Sequence, residues 1–172
     1  MAVMELSPKY AVVPGSFDPI TVGHLDIIER ASRMFERVTV AVLVNSEKKY
    51  LFSPEERLGF ARAAVAGLAN VDVVRSEGLL SDTAAACGAG VLVKGARCAS
   101  DFEYELSLAA IMREFLPGLE TVILPSKPEL AHVSSTYARE LIKFGAPAER
   151  AVPKTVIPLL RDAINKQASK GE

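Results

Sequence analysis

Five short apolar runs rich in β-branched residues, at 10–13, 37–44, 71–75, 91–94 and 121–124, recur through the chain, and stretches with helical spacing lie between and after them. Runs of this kind mark strands buried on both faces, and strands alternating with helices imply a parallel sheet covered on both sides. Crossovers between parallel strands are right-handed. The pattern therefore predicts the α/β class: a Rossmann-like, doubly wound sheet of five parallel strands with helices on both faces. Such folds bind ligands outside the carboxyl ends of their strands, close to where the strand order reverses. At 172 residues the chain suits a single domain spanning 1–172, with a polar tail expected to fray over about 168–172.

The helical stretches carry their own punctuation. The first should run over 22–35, with Leu25, Ile28, Ala31, Ser32 and Phe35 at near-helical intervals and Glu29, Arg33 and Glu36 on the other face. Ser53, Pro54 and Glu56 spell a capping box with proline at the first helical position, opening a helix over 54–66 that stops at Gly67. Further helices are expected over 81–87, from Asp101 to about Leu116, from the 133–139 stretch to Gly145, and over 154–167. Gly88-Ala89-Gly90 precedes a strand instead of following one, so it reads as a helix-to-strand turn and not as a dinucleotide fingerprint.

Composition narrows the function. A formal net charge of −1 argues against a nucleic-acid binder that relies on a globally basic surface, while a local cationic pocket for a phosphorylated small molecule is compatible with it. Cys87 and Cys98 lack the spacing of a zinc or redox pair, and only two histidines are present to help them. They are expected to be free thiols. No apolar run approaches the ~20 residues of a membrane span and the first residues lack the core of a signal peptide, so the expectation is a cytoplasmic protein with no membrane partner.

Each predicted strand is followed by a loop on one shared rim; the loop at 76–82 carries Leu80, and the other four are polar. In the first, Pro14-Gly15 should end the strand with a residue lacking an amide hydrogen and one tolerant of positive φ. The loop then leads through Ser16, Phe17 and Asp18 to Thr21-Val22-Gly23-His24, where unpaired N–H groups and the helix dipole favour an anion. The second, 45–50, offers Lys48 and Lys49. In the third, Lys94-Gly95-Ala96-Arg97 sets two cations around a glycine at a strand end, a phosphate cradle. The fourth places Ser134, Ser135 and Thr136 at a helix start, more hydroxyls than a plain N-cap uses.

Taken together, these loops resemble a known family. Thr21-x-Gly23-His24 resembles the T/HxGH signature of the nucleotidyltransferase superfamily. The longer string Pro-Gly-Ser-Phe-Asp-Pro-Ile-Thr-x-Gly-His, the Lys-Gly-x-Arg cradle and the Asp-Phe-Glu-Tyr-Glu string at 101–105 are similar to phosphopantetheine adenylyltransferases over about residues 8–167. The resemblance implies transfer of an adenylyl group from ATP to 4′-phosphopantetheine, giving dephospho-coenzyme A and pyrophosphate. It implies that His24, Lys48 and Arg97 are catalytic, meeting charge on the transferring phosphoryl group. The nucleotide would be held by Ser16, Phe17, His24, Gly95, Arg97 and Glu105, and by the stretch Leu130, Ala131, His132, Val133, Ser134, Ser135 and Thr136. The acceptor would be held by Ser16, Lys48, Leu80 and Lys94. The family commonly has arginine where Lys94 stands and often has aromatics where Leu130-Ala131-His132 stands, so phosphate geometry and adenine packing are where this chain departs. Magnesium (Mg2+) is expected on the ATP oxygens, with no protein metal ligand named. The resemblance also implies a homohexamer and feedback binding of coenzyme A. The other readings are a nucleotidyltransferase acting on nicotinate mononucleotide or glycerol 3-phosphate, and a nucleotide-binding regulator without turnover.

Overall fold

The computed structural model describes residues 5–45 and 47–169. Strands β1 (Ser7–Gly15), β2 (Arg37–Val44), β3 (Val71–Glu77), β4 (Ala89–Ala96) and β5 (Glu120–Pro125) form one sheet in the order β3-β2-β1-β4-β5. All four pairings are parallel. Helices α1 (Val22–Met34), α2 (Pro54–Val65), α3 (Leu80–Ala86), α4 (Ala99–Phe115), α5 (Ser135–Lys143) and α6 (Ile157–Ala168) fill the connections, with short 3-10 turns at Pro128–Leu130, Ala148–Arg150 and Lys154–Val156. The last of these takes up the opening turn expected of the final helix. Of the tail expected to fray, Ala168 is helical, Ser169 is in a turn, and 170–172 lie outside the described residues.

Strand alternation divides the core between the two faces. Ala11 and Val13 of β1, Val38, Val40 and Val42 of β2, and Val91 and Val93 of β4 pack in one large cluster with residues of α1, α2, α5 and α6. Val12, Ala41 and Leu92, one residue out of phase, join a smaller cluster with Ala84, Ala89 and Leu119, against which Met112 and Leu116 rest. The second face is thinly covered. None of the residues of α4 is fully buried, and Phe102, Tyr104, Leu106, Ile111 and Phe115 are exposed.

Strand β1 is longer than its apolar run. Pro14 and Gly15 still pair with Ala41 and Val42 of β2, so they do not end the strand. On the other side, pairing of β1 with β4 stops at Val12↔Leu92. Proline has no N–H to extend a ladder, and the sheet parts between β1 and β4 from this point. Gly15 is not in the left-handed region either. Its glycine is required by contact: a Cβ there would lie 2.7 Å from Cζ of Phe17, whose ring folds back over the strand end. In the 88–90 turn only Gly88 makes the bend (φ +62), while Gly90 is already in β4, where a Cβ would meet the Ser7 carbonyl oxygen at 2.8 Å.

Candidate active site

A cavity of about 430 Å³ opens where the sheet parts, between the carboxyl ends of β1 and β4. This is the switch point of the strand order, with β2 and β3 to one side of β1 and β4 and β5 to the other. Pro14, Gly23 and His24 wall it from the first loop, Lys94, Gly95 and Arg97 from the end of β4, Tyr104 and Glu105 from α4, and Leu130 and Val133–Thr136 from the fourth loop. Two helix N-termini, those of α1 and α5, border it.

His24 is tied into the start of its own helix. Thr21 caps α1 by accepting from the His24 amide on Oγ1 at 3.3 Å, while the Thr21 amide donates to Nδ1 of the imidazole at 3.0 Å. A histidine thus takes the place that Glu or Gln occupies in the usual capping box. The ring nitrogen that accepts a backbone N–H is unprotonated, so the neutral ring carries its proton on Nε2, as a donor available to a ligand. Phe17, 2% exposed, packs edge-on against the imidazole with centroids 5.1 Å apart. Burial pushes the His24 pKa down to about 4, and the positive charge of Arg97 adds to the effect. A neutral donor, not an imidazolium, faces the cavity at physiological pH. Of the first-turn amides, Val22 donates to the Ala151 carbonyl at 2.8 Å and His24 to Thr21, so the loop has fewer open donors than its sequence suggests; Gly23 retains the free one among the described residues.

The cations of the third loop are not free. Lys94 Nζ lies 2.9 Å from Glu105 Oε2, with both side chains about 15% exposed or less. Arg97 donates through Nε and its backbone N–H to Asp101 Oδ2, each at 3.0 Å. The Arg97 hydrogen bond holds the Asp101 carboxyl below the usual carboxylate range. Each cation is thus paired with a carboxylate from α4, four or more residues downstream. An incoming phosphate must compete for Lys94, and the groups expected to serve separate ligands, Lys94 and Glu105, touch each other.

The hydroxyls of the fourth loop also have partners within the protein. Ser134 caps α5 by accepting from the Tyr137 amide at 3.0 Å, Ser135 donates to the Pro19 carbonyl at 2.9 Å, and Thr136 accepts from Arg139 at 3.1 Å. Three hydroxyls in a row therefore have three structural partners. Ser134 and Thr136 only accept in these bonds and keep their O–H donors, so the anion-binding capacity of this loop rests on those two hydroxyls and on the first-turn amides of α5, which no carbonyl of the helix can reach.

Several expected residues stand elsewhere. Lys48 is exposed on the loop after β2 and is not part of the cavity wall; Ser46 of that loop lies outside the described residues. The Ser16 side chain is likewise absent from the wall, and its carbonyl accepts from buried Arg57 at 2.6 Å. Leu80 packs on the smaller core cluster instead of facing the cavity. Ala131 and His132 are exposed beyond the wall, with His132 edge-on to Tyr137 at 5.9 Å. Phe17, by contrast, is part of the cavity wall although it is only 2% exposed. Sequence reasoning missed Thr21 as the orienting partner of His24, Asp101 as that of Arg97, and the buried Asp18 and Arg57. The Thr-x-x-His spacing was a legible signal for the first, and the i,i+4 spacing of Arg97 and Asp101 for the second; nothing local announces the others.

Five parallel strands with this cavity at the switch point form a Rossmann-like fold, and the family profile of cytidylyltransferase-like proteins, which matches residues 12–141, places the chain among nucleotidyltransferases. A solved structure assigned as a nicotinate-nucleotide adenylyltransferase from Vibrio parahaemolyticus shares the fold at a TM-score of 0.64, covering 91% of this chain and 93% of that one at 22% identity. Closer in sequence are a phosphopantetheine adenylyltransferase of Symbiobacterium thermophilum and one of Bifidobacterium longum. The first is 49% identical over 91% of this chain and 96% of its own length; the second is 41% identical over 93% and 97%. The chain belongs to the phosphopantetheine adenylyltransferase family, within the nucleotidyltransferases.

Proposed function

We infer that the cavity between β1 and β4 is where the adenylyl group of ATP passes to 4′-phosphopantetheine, giving dephospho-coenzyme A and pyrophosphate. A phosphate oxygen of the acceptor attacks the α-phosphorus, the bond to the β-phosphate oxygen breaks, and pyrophosphate leaves with the electron pair. The nucleophile is already anionic, so the protein has only to align the two phosphates and meet charge at the pentavalent phosphorus. The observation that carries this reading is the wall itself: a neutral imidazole donor, two cations and two helix N-termini around one cavity.

In this reading His24 donates from Nε2 to an α-phosphate oxygen, Arg97 and the amides of α5 hold the β- and γ-phosphates, and Gly95 and Leu130 lie against the nucleoside. Lys94 takes the phosphate of the acceptor, and Glu105, released from it, turns to the ribose. Lys48 approaches from the rim as the α-phosphoryl group passes to the acceptor's phosphate. Magnesium belongs to the nucleotide. Among the described residues no cluster of three His, Cys, Asp or Glu side chains could hold a metal, and both carboxylates of the wall, Asp101 and Glu105, are paired with cations. Phosphate oxygens and water would be its ligands, and bound there it would spread the charge of the leaving pyrophosphate.

A homohexamer is supported by the apolar side chains left uncovered along α4, a face that a second copy would bury. Cytoplasmic placement is supported by two free cysteines and by the absence, among the described residues, of a helix long and apolar enough to cross a membrane. Coenzyme A, which contains the product, would compete for the same cavity.

Pyrophosphate release with ATP and magnesium tests the reading across 4′-phosphopantetheine, pantetheine, nicotinate mononucleotide and glycerol 3-phosphate. Turnover only with 4′-phosphopantetheine is expected. Turnover only with another acceptor would keep the fold class and overturn the substrate, and nucleotide binding without pyrophosphate release would favour a regulator.

A further inference from the structure

One buried carboxylate touches three of the segments that carry the reaction in the reading above. Asp18 lies midway between β1 and α1, 3% exposed, and does not line the cavity. Its Oδ2 accepts from the Leu51 amide and its Oδ1 from the Phe52 amide, both at 2.9 Å. Its carbonyl accepts from Arg139 of α5 at 2.8 Å, and the same guanidinium stands 3.7 Å from Oδ2. The first loop, the lysine loop after β2 and the helix at the fourth loop thus meet on one residue.

The geometry constrains the lysine loop more than a single bond would. Two oxygens of one carboxylate receive two successive amides, which fixes both the position and the direction of the backbone at 51–52. Lys48 stands three residues upstream on an exposed stretch. Other contacts also hold that stretch: Phe52 is buried against Phe60 at 5.0 Å, Gln167 donates to the Leu51 carbonyl at 2.8 Å, and the Arg57 guanidinium lies 3.9 Å from the centre of the Tyr50 ring, but none of them fixes the direction of the backbone at 51–52. Arg57, fully buried, clamps the Ser16 and Leu43 carbonyls beneath the loop at 2.6 and 2.9 Å. These contacts would survive loss of the carboxylate.

We propose that Asp18 is a positioning residue that sets the Lys48 loop against the transferring phosphate through the Leu51 and Phe52 amides, without itself touching substrate; this rests on the reading of Lys48 as a group that meets that phosphate. Asparagine at this position retains one acceptor and turns an N–H donor towards the other amide. The loop would be held by one bond and repelled at the second.

The test is a double-mutant cycle of Asp18→Asn and Lys48→Ala, with steady-state rates in ATP and 4′-phosphopantetheine and hydrogen exchange at the Leu51 and Phe52 amides. Asp18→Asn is expected to lower kcat by about 10- to 100-fold, since misplacement of a group by about 1 Å costs up to that much. KM for ATP should stay within about twofold and exchange at both amides should accelerate. The double variant should be no slower than Lys48→Ala alone, because a misplaced lysine and a missing one are equivalent. Multiplying losses in the double variant would overturn the proposal, as would an Asp18→Asn protein with unchanged kcat. Undiminished activity of Lys48→Ala would sink the role of Lys48 itself, and is read from that single variant before the cycle is closed. Should Asp18→Asn fail to fold, replacing Leu51 with its α-hydroxy analogue removes one donor and leaves the carboxylate in place. The same kcat loss, absent in the Lys48→Ala background, is then expected, and an unaffected kcat refutes the proposal.

Discussion

Taking the protein from pH 7 to pH 5 should remove about 2 kcal/mol of folding stability through His24 alone. The imidazole has a pKa of about 4 when folded, because burial disfavours its charged form and Arg97 repels the positive charge. In the unfolded chain it returns to about 6.5. Between those values the unfolded state binds a proton that the folded state refuses, so stability falls as pH falls through 6.5 and levels out below 4. The full difference approaches about 3 kcal/mol, and roughly two thirds of it lies above pH 5. His24→Asn removes the titration while leaving a side-chain oxygen within reach of the Thr21 amide. Urea unfolding of both proteins at pH 7 and pH 5 isolates the contribution, since other titrating groups are common to the two. The wild type should lose about 2 kcal/mol more than the variant on acidification. Equal losses would refute the derivation. An independent check is a proton NMR titration: only two histidines are present, the variant assigns their signals, and a midpoint for His24 near 6.5 would show that the ring is not sequestered as described.

Glu105→Gln should free Lys94 from the contact at 2.9 Å and tighten 4′-phosphopantetheine by about tenfold in calorimetric titration, the direction opposite to that of losing a ligand-binding group; weaker binding would show that the pair is not in competition with phosphate. Thr21→Val removes the hydroxyl that caps α1 and that also lies 3.0 Å from Nδ1 of His24, and should cost about 1 kcal/mol in urea unfolding; an unchanged stability would refute the cap. Gly15→Ala places a methyl group 2.7 Å from the Phe17 ring and should destabilise by about 1 to 3 kcal/mol while shifting the ring that packs on His24; a neutral substitution, measured by thermal melting, would contradict the packing.

The class of fold was legible because its signal is local and repeated. Each strand announced itself as a short β-branched run, and the five runs recur as β1 to β5 with ends displaced by up to three residues. The box at Ser53 and Glu56 was legible for the same reason, all its atoms lying within one turn. His24, Lys94, Arg97, Glu105 and Ser134–Thr136 do gather around one cavity. Their partners were less legible. Lys94 and Glu105 are eleven residues apart and meet only because α4 folds back along β4, and the Ser135 hydroxyl reaches the Pro19 carbonyl across 116 positions.

Residue type and spacing alone determined the alternation of strand and helix, the rim on which the polar loops collect, and the family resemblance. The alternation and the rim follow from backbone geometry with periods of two and 3.6 residues and from parallel strands ending on one side, whereas the resemblance rests on the particular residues of the Thr21-x-Gly23-His24, Lys94-Gly95-Ala96-Arg97 and 101–105 motifs. Tertiary structure alone decided which charges are free and which are spent. It buried Asp18 beneath two amides from the next loop, neutralised His24, paired both cations of the cradle with α4 and left the apolar side chains of α4 uncovered. The physical reason is that desolvation and ion pairing depend on what lies within a few ångströms in space, and neighbours in space are set by how strands and helices dock, not by their order along the chain.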